Sequence, residues 1–265
     1  MVDDGTIRWE VRDGIGIAVI DRPARRNALN AELAGELRGR LVGARDLRAV
    51  VVTGEGKAFC AGADLARRFD DVATVDGQGT DSFRPAFEQL LDAIVDHPAP
   101  VIAAVNGHAL GAGLQLAVAC DLRVVQPGAQ LGIPASKLGV MLSVANIARL
   151  ALLVGQGPAR DLLLTGRSVD AGEALSLGLV HRVVDEARAA AIDWATELAR
   201  LAPLSVTGHK RALNLIAAKQ MLVAGVDDEA RAEVAAIEAG AFASADLQEG
   251  LAAFAEKRAP RFEGR

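Results

Sequence analysis

The sequence predicts an α/β protein, a core of short buried strands alternating with helices and then a helical C-terminal region. Two observations carry this. Short apolar runs such as "RAVVVTG" (48–54) and "VIAAV" (101–105) alternate with helical patterns up to about residue 185. Beyond that point the periodicity is helical over 185–200, 204–222, 226–241 and 244–256, with Pro203 marking a break. The expected organisation is therefore a core over residues 1–190 and a helical region over 191–265. With 265 residues, 51% hydrophobic and 24% charged, the chain is long and apolar enough to bury a sizeable core.

The elements follow in order. "IRWEV" (7–11) and "IGIAVI" (15–20), separated by "RDG", read as a β-hairpin. "DRPARRNALN" is a polar loop, and Asn30 stands where it caps a helix with apolar positions Leu33, Leu37 and Leu41. A short buried strand leads into the glycine-rich loop "GEGKAFCAGADL" (54–65). After a charged segment from Arg67 to Ser82 comes a helix with Phe87, Leu90, Leu91, Ile94 and Val95, then the "VIAAV" strand. The turn "NGHALG" opens a buried helix near Gly111, and "CDLRVV" and "AQLGI" are strand-like.

Several classes of function are excluded on composition. A net charge of −5, a pI near 5.5 and the absence of a basic run with aromatic neighbours argue against nucleic acid. Cys60 and Cys120 lack metal-ligand spacing and read as buried free thiols of a reducing cytosol, so no metal is expected. The acidic start "MVDDGTIRWEV" has no apolar signal-peptide segment, and a cytoplasmic location is expected. No formally charged residue occurs from His97 to Cys120, but prolines, glycines, Asn106 and Gln115 interrupt the stretch. Its apolar pieces fall short of the ~18 residues of a membrane span.

Four stretches together resemble the enoyl-CoA hydratase/isomerase (crotonase) family. They are "RPARRNALN" (22–30), "GEGKAFCAGADL" (54–65), "AAVNGHALGAGLQLAVACDLRVV" (103–125) and "SADLQEGLAAFAEKRAPRFEG" (244–264). Their order and spacing are the family's and span nearly the whole chain. The resemblance implies a crotonase-like spiral of repeated ββα turns. It also implies C-terminal helices that pack into a homotrimer or a hexamer (a dimer of trimers) and complete the CoA site.

Members of this family act on acyl-CoA thioesters and stabilise a thioester oxygen that gains negative charge. Such an oxyanion needs two fixed donors, and preorganised backbone N–H groups suit the task. "CAGADL" places Ala63 in a glycine-assisted turn among small neighbours; "GAGLQ" opens a helix whose first N–H groups are free. Each loop alone reads as an ordinary tight turn. In this order they point to an oxyanion hole of Ala63 and Ala112, with alanine at 112 where glycine is more usual. Ala61, Ala63, Asp64 and Leu65, within "AGADLA" (61–66), are expected to run along the adenine end through backbone contacts. Arg25, Arg26 and Lys210 are candidates for the CoA phosphates. Phe254 and Phe262 resemble C-terminal aromatics that reach toward CoA, with core or interface packing the alternative. Coenzyme A enters only as part of the ligand; no cofactor is expected.

The acids are missing. The family hydrates an enoyl thioester with two glutamates flanking a water. One follows the glycine loop as "GGGxE", and here it is Gln115; the other follows proline in "PExxLG", and here, in "IPASKLGV", it is Ala135. A further family carboxylate position falls on Ser143. Glutamine holds a water but has no proton equilibrium near neutral pH, and alanine does neither. The chain thus looks like actinobacterial paralogues that lack both glutamates and bind acyl-CoA without hydrating it. The alternative is a working hydratase, isomerase or thioesterase whose acid comes from elsewhere, with Asp70, Asp71, Asp76 and Asp81 as candidates. His108 is another candidate base, although a histidine in that turn more often bonds backbone. Expected partners are a fatty acyl-CoA, further copies of the chain, and other lipid-synthesis proteins.

Overall fold

The computed structural model describes the backbone of residues 5–65, 82–223 and 228–263. Strands β1 (Thr6–Arg12) and β2 (Ile15–Asp21) form an antiparallel hairpin that pairs Ile7 with Ile20. Its turn places Asp13 at φ 51° and Gly14 at φ 75°, the two left-handed residues that an Asp-Gly hairpin turn favours. From β2 the sheet continues in parallel through β3 (Ala49–Gly54), β5 (Val101–Val105), β7 (Leu122–Val125) and β10 (Arg182–Val183). Every residue of β3 and β5 is buried, as a parallel sheet covered on both faces requires.

The period-two alternation of the strands sets the packing. Ile15, Ile17, Val19, Ala49, Val51, Ile102, Ala104 and Val124 share one core with Ala187, Ala191 and Ala195 of the helix Ala187–Ala199. That alanine stripe at four-residue spacing lets the helix lie close on the sheet. Helix α1 (Ala31–Gly43) starts at Asn30, whose side chain accepts from the Leu33 N–H, and buries Leu33, Leu37 and Leu41 as the sequence predicts. Helix α2 (Phe83–Val95) packs on α1 and buries Phe87, Leu90, Leu91 and Ile94.

A second sheet holds β4 (Ala58–Cys60), β6 (His108–Leu110), β8 (Gln130–Gly132) and β9 (Ser168–Asp170) in that order. Helix α3 (Ala112–Ala119) leaves β6 directly. The remaining helices are α4 (Val144–Val154), α5 (Gln156–Thr165), α6 (Ala171–Ser176), α7 (Ala187–Ala199), α8 (Pro203–Val223), α9 (Asp228–Ala243) and α10 (Ala245–Glu256).

The chain forms two compact units, Met1–Leu131 with Val169–Asn214, and Gly132–Ser168 with Leu215–Arg265. The division is thus discontinuous in sequence. In the first unit α7 belongs to the core sheet through its alanines, and the start of α8 is tied down by Lys210 and Asn214. In the second unit α4 and α5 pack together, α9 meets α4 and α10, and α10 covers the turn Pro134–Leu138. Among the described residues, no helix is long and apolar enough to cross a membrane.

Candidate functional site: two unused N–H groups beside a neutral amide

Two parallel strands build the site. β4 pairs with β6, matching Ala58 with His108 and Cys60 with Ala109 across a register shift. Because they are parallel, both chains leave the sheet at the same end, one into residues 61–64 and the other into α3. A methyl placed on Gly62 would stand 3.0 Å from the Leu110 oxygen and 3.7 Å from the Ala112 nitrogen. Gly62 has φ 113°, a conformation closed to other residues, so glycine is needed there for backbone geometry as well as space.

Residues 22–30 act as a splint behind the first loop. The Leu29 N–H donates to Gly62 O at 2.8 Å, Asp64 N–H to Leu29 O at 2.7 Å, and Ala61 N–H to Arg26 O at 3.0 Å. Leu29 and Ala63 thus form a parallel bridge, in which the Ala63 N–H points away from Leu29. Asn27 holds the splint itself: its side chain accepts from Arg22 N–H and donates to Glu55 O and Ala58 O. Beneath them the Arg22 guanidinium, 1% exposed, pairs with the Asp64 carboxylate at 2.7 Å and donates to Ala28 O.

The second donor comes from α3. Its first intrahelical acceptor is Gly111 O, taken by Gln115 N–H, so the Ala112 N–H belongs to the free first turn. Among the described residues, no acceptor takes the N–H of Ala63 or of Ala112. Ala112 is not among the positive-φ residues, and its methyl is therefore accommodated without strain. Close packing brings α3 against β4: a methyl on Gly113 would meet the Cys60 oxygen at 2.1 Å. At the other end of α3, the buried Arg123 guanidinium donates to Ala117 O, Cys120 O and Leu179 O. Burial pulls the pKa of Arg123 below its ordinary value, but it remains a cation that neutralises the helix C-terminus.

Gln115 lies on α3, half-buried, and its amide makes no hydrogen bond to a described residue. Cys60 is fully buried beside the loop, and burial pushes its thiol up to about 12, so it is no thiolate nucleophile at neutral pH. Burial does the same to Cys120, also to about 12. His108 is exposed on β6, and its Nδ1 accepts the Gln130 N–H at 3.1 Å. It bonds backbone, as histidines in such turns commonly do.

The other candidates divide. Arg25 and Arg26 are exposed, on the loop that braces residues 61–64, and Leu65 is half-buried where that loop ends. Two candidates for CoA contact carry buried bonds of their own. Lys210 is 8% exposed, and its ammonium is held by Asp121 at 2.7 Å, Ala99 O at 3.1 Å and Ile94 O at 3.2 Å. All three of its donors are engaged, so it fastens α8 to the core and leaves none for a phosphate. Asp64 likewise gives its carboxylate to Arg22 and its N–H to Leu29 O. In the second unit, Ala135 lies half-buried in the turn Pro134–Leu138. Ser143 is the N-cap of α4, accepting the Asn146 N–H. Phe254 and Phe262 are 58% and 41% exposed. Asp70, Asp71, Asp76 and Asp81 lie outside the described residues.

The Arg22–Asp64 pair is the part of the site that the sequence concealed. The two residues are 42 positions apart; Arg22 stands among other charged residues, and Asp64 stands alone in the small, apolar run "CAGADLA" with nothing in the sequence to name its partner. The clue lies in the continuous apolar strand ending at Ile20, which carries the chain that follows it into the interior.

Short parallel strands alternating with helices in this order form the crotonase fold. The profile of the enoyl-CoA hydratase/isomerase family matches residues 10–265, and the chain belongs to that family. It is 42% identical to "Probable enoyl-CoA hydratase echA6" of Mycobacterium tuberculosis over 92% of this chain and 94% of the relative. Its structure is similar to the enoyl-CoA hydratase/isomerase of Pseudoalteromonas atlantica, with TM-score 0.82 and 35% identity, covering 97% and 99% of the two chains. A methylmalonyl-CoA decarboxylase shares the fold at TM-score 0.85 and 22% identity, over 98% of each chain.

Proposed function

We propose that this protein binds fatty acyl-CoA thioesters with the thioester oxygen between the N–H groups of Ala63 and Ala112, and that it does not hydrate them. The observation that carries the reading is the combination at α3. A pair of preorganised donors is retained, while the residue one turn into the helix is a neutral amide that bonds no described residue. Two N–H groups polarise a carbonyl and favour negative charge on its oxygen. Hydration also needs a group that takes a proton and a group that returns one, and Gln115 does neither. The ligand's adenine end lies along residues 61–66, with Arg25 and Arg26 the exposed cations near that loop. The family's usual glutamate positions, Gln115 and Ala135, are both non-acidic, whereas the named relatives carry a hydratase name.

Apolar side chains exposed on the C-terminal helices, among them Leu213, Leu215 and Ile216 of α8 and Ile237 of α9, support assembly into a homotrimer or hexamer. Further parts of the reading are a place in fatty-acid metabolism, a cytoplasmic location, and delivery of the thioester to other lipid-synthesis proteins. The second reading, a lyase, isomerase or thioesterase with a relocated acid, rests on the aspartates between 70 and 81.

Ala63→Pro tests the hole. It deletes one donor, and a hydrogen bond to a charge-polarised oxygen is worth roughly 1.5–3 kcal/mol. Calorimetric titration with octanoyl-CoA should show that loss in a variant whose circular dichroism matches wild type. Unchanged affinity in the folded variant means the thioester oxygen binds elsewhere.

A further inference from the structure

We infer that Arg22 and Asp64 are positioning residues, whose buried ion pair holds the Ala63 N–H in the direction of the thioester oxygen. This rests on the acyl-CoA reading above and names the device that sets one of its two donors.

The reasoning begins with what a buried ion pair is worth. Arg22 and Asp64 are 1% and 7% exposed, and removing two charges from water offsets most of their attraction. An apolar pair of similar volume commonly gives equal stability. What an apolar pair cannot supply is direction. The Arg22 guanidinium bonds at once to the Asp64 carboxylate at 2.7 Å and to Ala28 O at 3.2 Å. Asp64 directly follows Ala63, and Ala28 directly precedes Leu29, the residue that bridges to Ala63. One rigid planar cation therefore clamps both sides of a bridge that has only two backbone hydrogen bonds of its own, Leu29 N–H to Gly62 O and Asp64 N–H to Leu29 O.

That bridge decides where the Ala63 N–H points. With the Gly62 carbonyl turned toward Leu29, the trans peptide turns the Ala63 N–H to the opposite side, and Leu110 O and Ala112 N lie within 4 Å of where a methyl on Gly62 would stand. A slip or twist of the bridge rotates the donor away from the position opposite Ala112. Arg22 is itself held in place, since its N–H donates to Asn27 Oδ1 at 3.0 Å and its carbonyl accepts the Asn27 N–H at 2.9 Å. The chain of constraint runs from Asn27 through Arg22 and the Asp64 carboxylate to Ala63, and the side-chain bonds along it all go to protein atoms.

The test reads carbonyl polarisation, which a purely structural pair would not affect once the fold is intact. [1-13C]Octanoyl-CoA is bound to the protein, and isotope-edited infrared difference spectra report the thioester C=O stretch. Wild type should lower that frequency relative to free ligand. The Arg22→Met/Asp64→Leu double variant should fold, lose most of the downshift and bind roughly three- to tenfold more weakly. Arg22→Lys keeps the charge without the planar fork, and should retain the fold with part of the downshift; it decides the matter if the double variant does not fold. The full wild-type downshift in either folded variant overturns the positioning role while leaving the hole in place. Wild-type protein that binds the thioester without any downshift overturns the placement of its oxygen between Ala63 and Ala112, and this inference with it.

Discussion

Gly113→Ala probes how tightly the two halves of the proposed oxyanion hole are coupled. The added methyl would stand 2.1 Å from the Cys60 oxygen and 2.9 Å from its Cβ. Real methyl groups keep at least 3.0 Å, so α3 must withdraw from β4 by close to 0.9 Å, the difference between those two distances. The obstacle is backbone oxygen of a buried strand, which has no rotamer to change. Such overpacking costs roughly 1–3 kcal/mol of stability. The same displacement carries the Ala112 N–H away from Ala63. A hydrogen bond of ~2.9 Å stretched by that amount is no longer one. Losing a donor to a polarised oxygen is worth roughly 1.5–3 kcal/mol, or about ten- to a hundredfold in Kd. Urea denaturation measures the first effect and calorimetric titration with octanoyl-CoA the second. A folded Gly113→Ala protein that binds with wild-type affinity refutes the reasoning, because the donors would then not depend on the α3–β4 contact.

Lys210→Met should destabilise the protein by about 2–4 kcal/mol, since it strips a charged partner from Asp121 and bonds from two carbonyls. Acyl-CoA affinity should stay unchanged; a variant of wild-type stability but weaker binding would return Lys210 to the CoA site. His181 predicts an acid-labile fold. Burial, and then the charge of Arg123, lower its pKa to about 4 from the ordinary 6.5, so the unfolded chain takes up the proton first. Stability is complete above pH 6.5 and is lost as pH falls toward 4. Because the ring is more than a third exposed, the loss is discounted to ~1 kcal/mol. Burial also lowers the pKa of His97, which adds in the same direction. Urea midpoints between pH 7 and 4.5 should fall less steeply in His181→Asn, and an identical slope would exclude His181 as a source. Light scattering at micromolar concentration should give a trimer or hexamer, and a stable monomer would contradict the reading of the exposed apolar helices.

Much of the fold was legible because its signals are local. The Asp-Gly turn of the hairpin, the Asn30 cap, the three-leucine face of α1 and the charge-free strand Val101–Val105 depend on neighbours within a few residues. The two loops that carry the proposed donors were legible for the same reason, each announced by glycines beside it. The partition of the chain into its two compact units is instead a non-local property. Whether a late helix joins the first sheet or the second unit depends on which face it finds, and α7 joins the sheet through three small alanines that carry little hydrophobic signal. Lys210 and Asp64 look solvated or ligand-facing in sequence, yet their partners, Asp121 and Arg22, lie 89 and 42 positions away. Only the packed structure shows that both carry buried bonds.

The wild-type rate of crotonyl-CoA hydration, measured on protein whose acyl-CoA binding is confirmed in the same preparation, tests the account at its centre. General acid and base groups each contribute roughly 10²–10⁴-fold and act as a unit. With Gln115 and Ala135 at the family's two glutamate positions, wild type should bind and show no hydration above background. Gln115→Glu with Ala135→Glu should gain measurable activity, and either single change little. Robust hydration by the wild-type protein contradicts the account, and points to an acid supplied from residues 67–82.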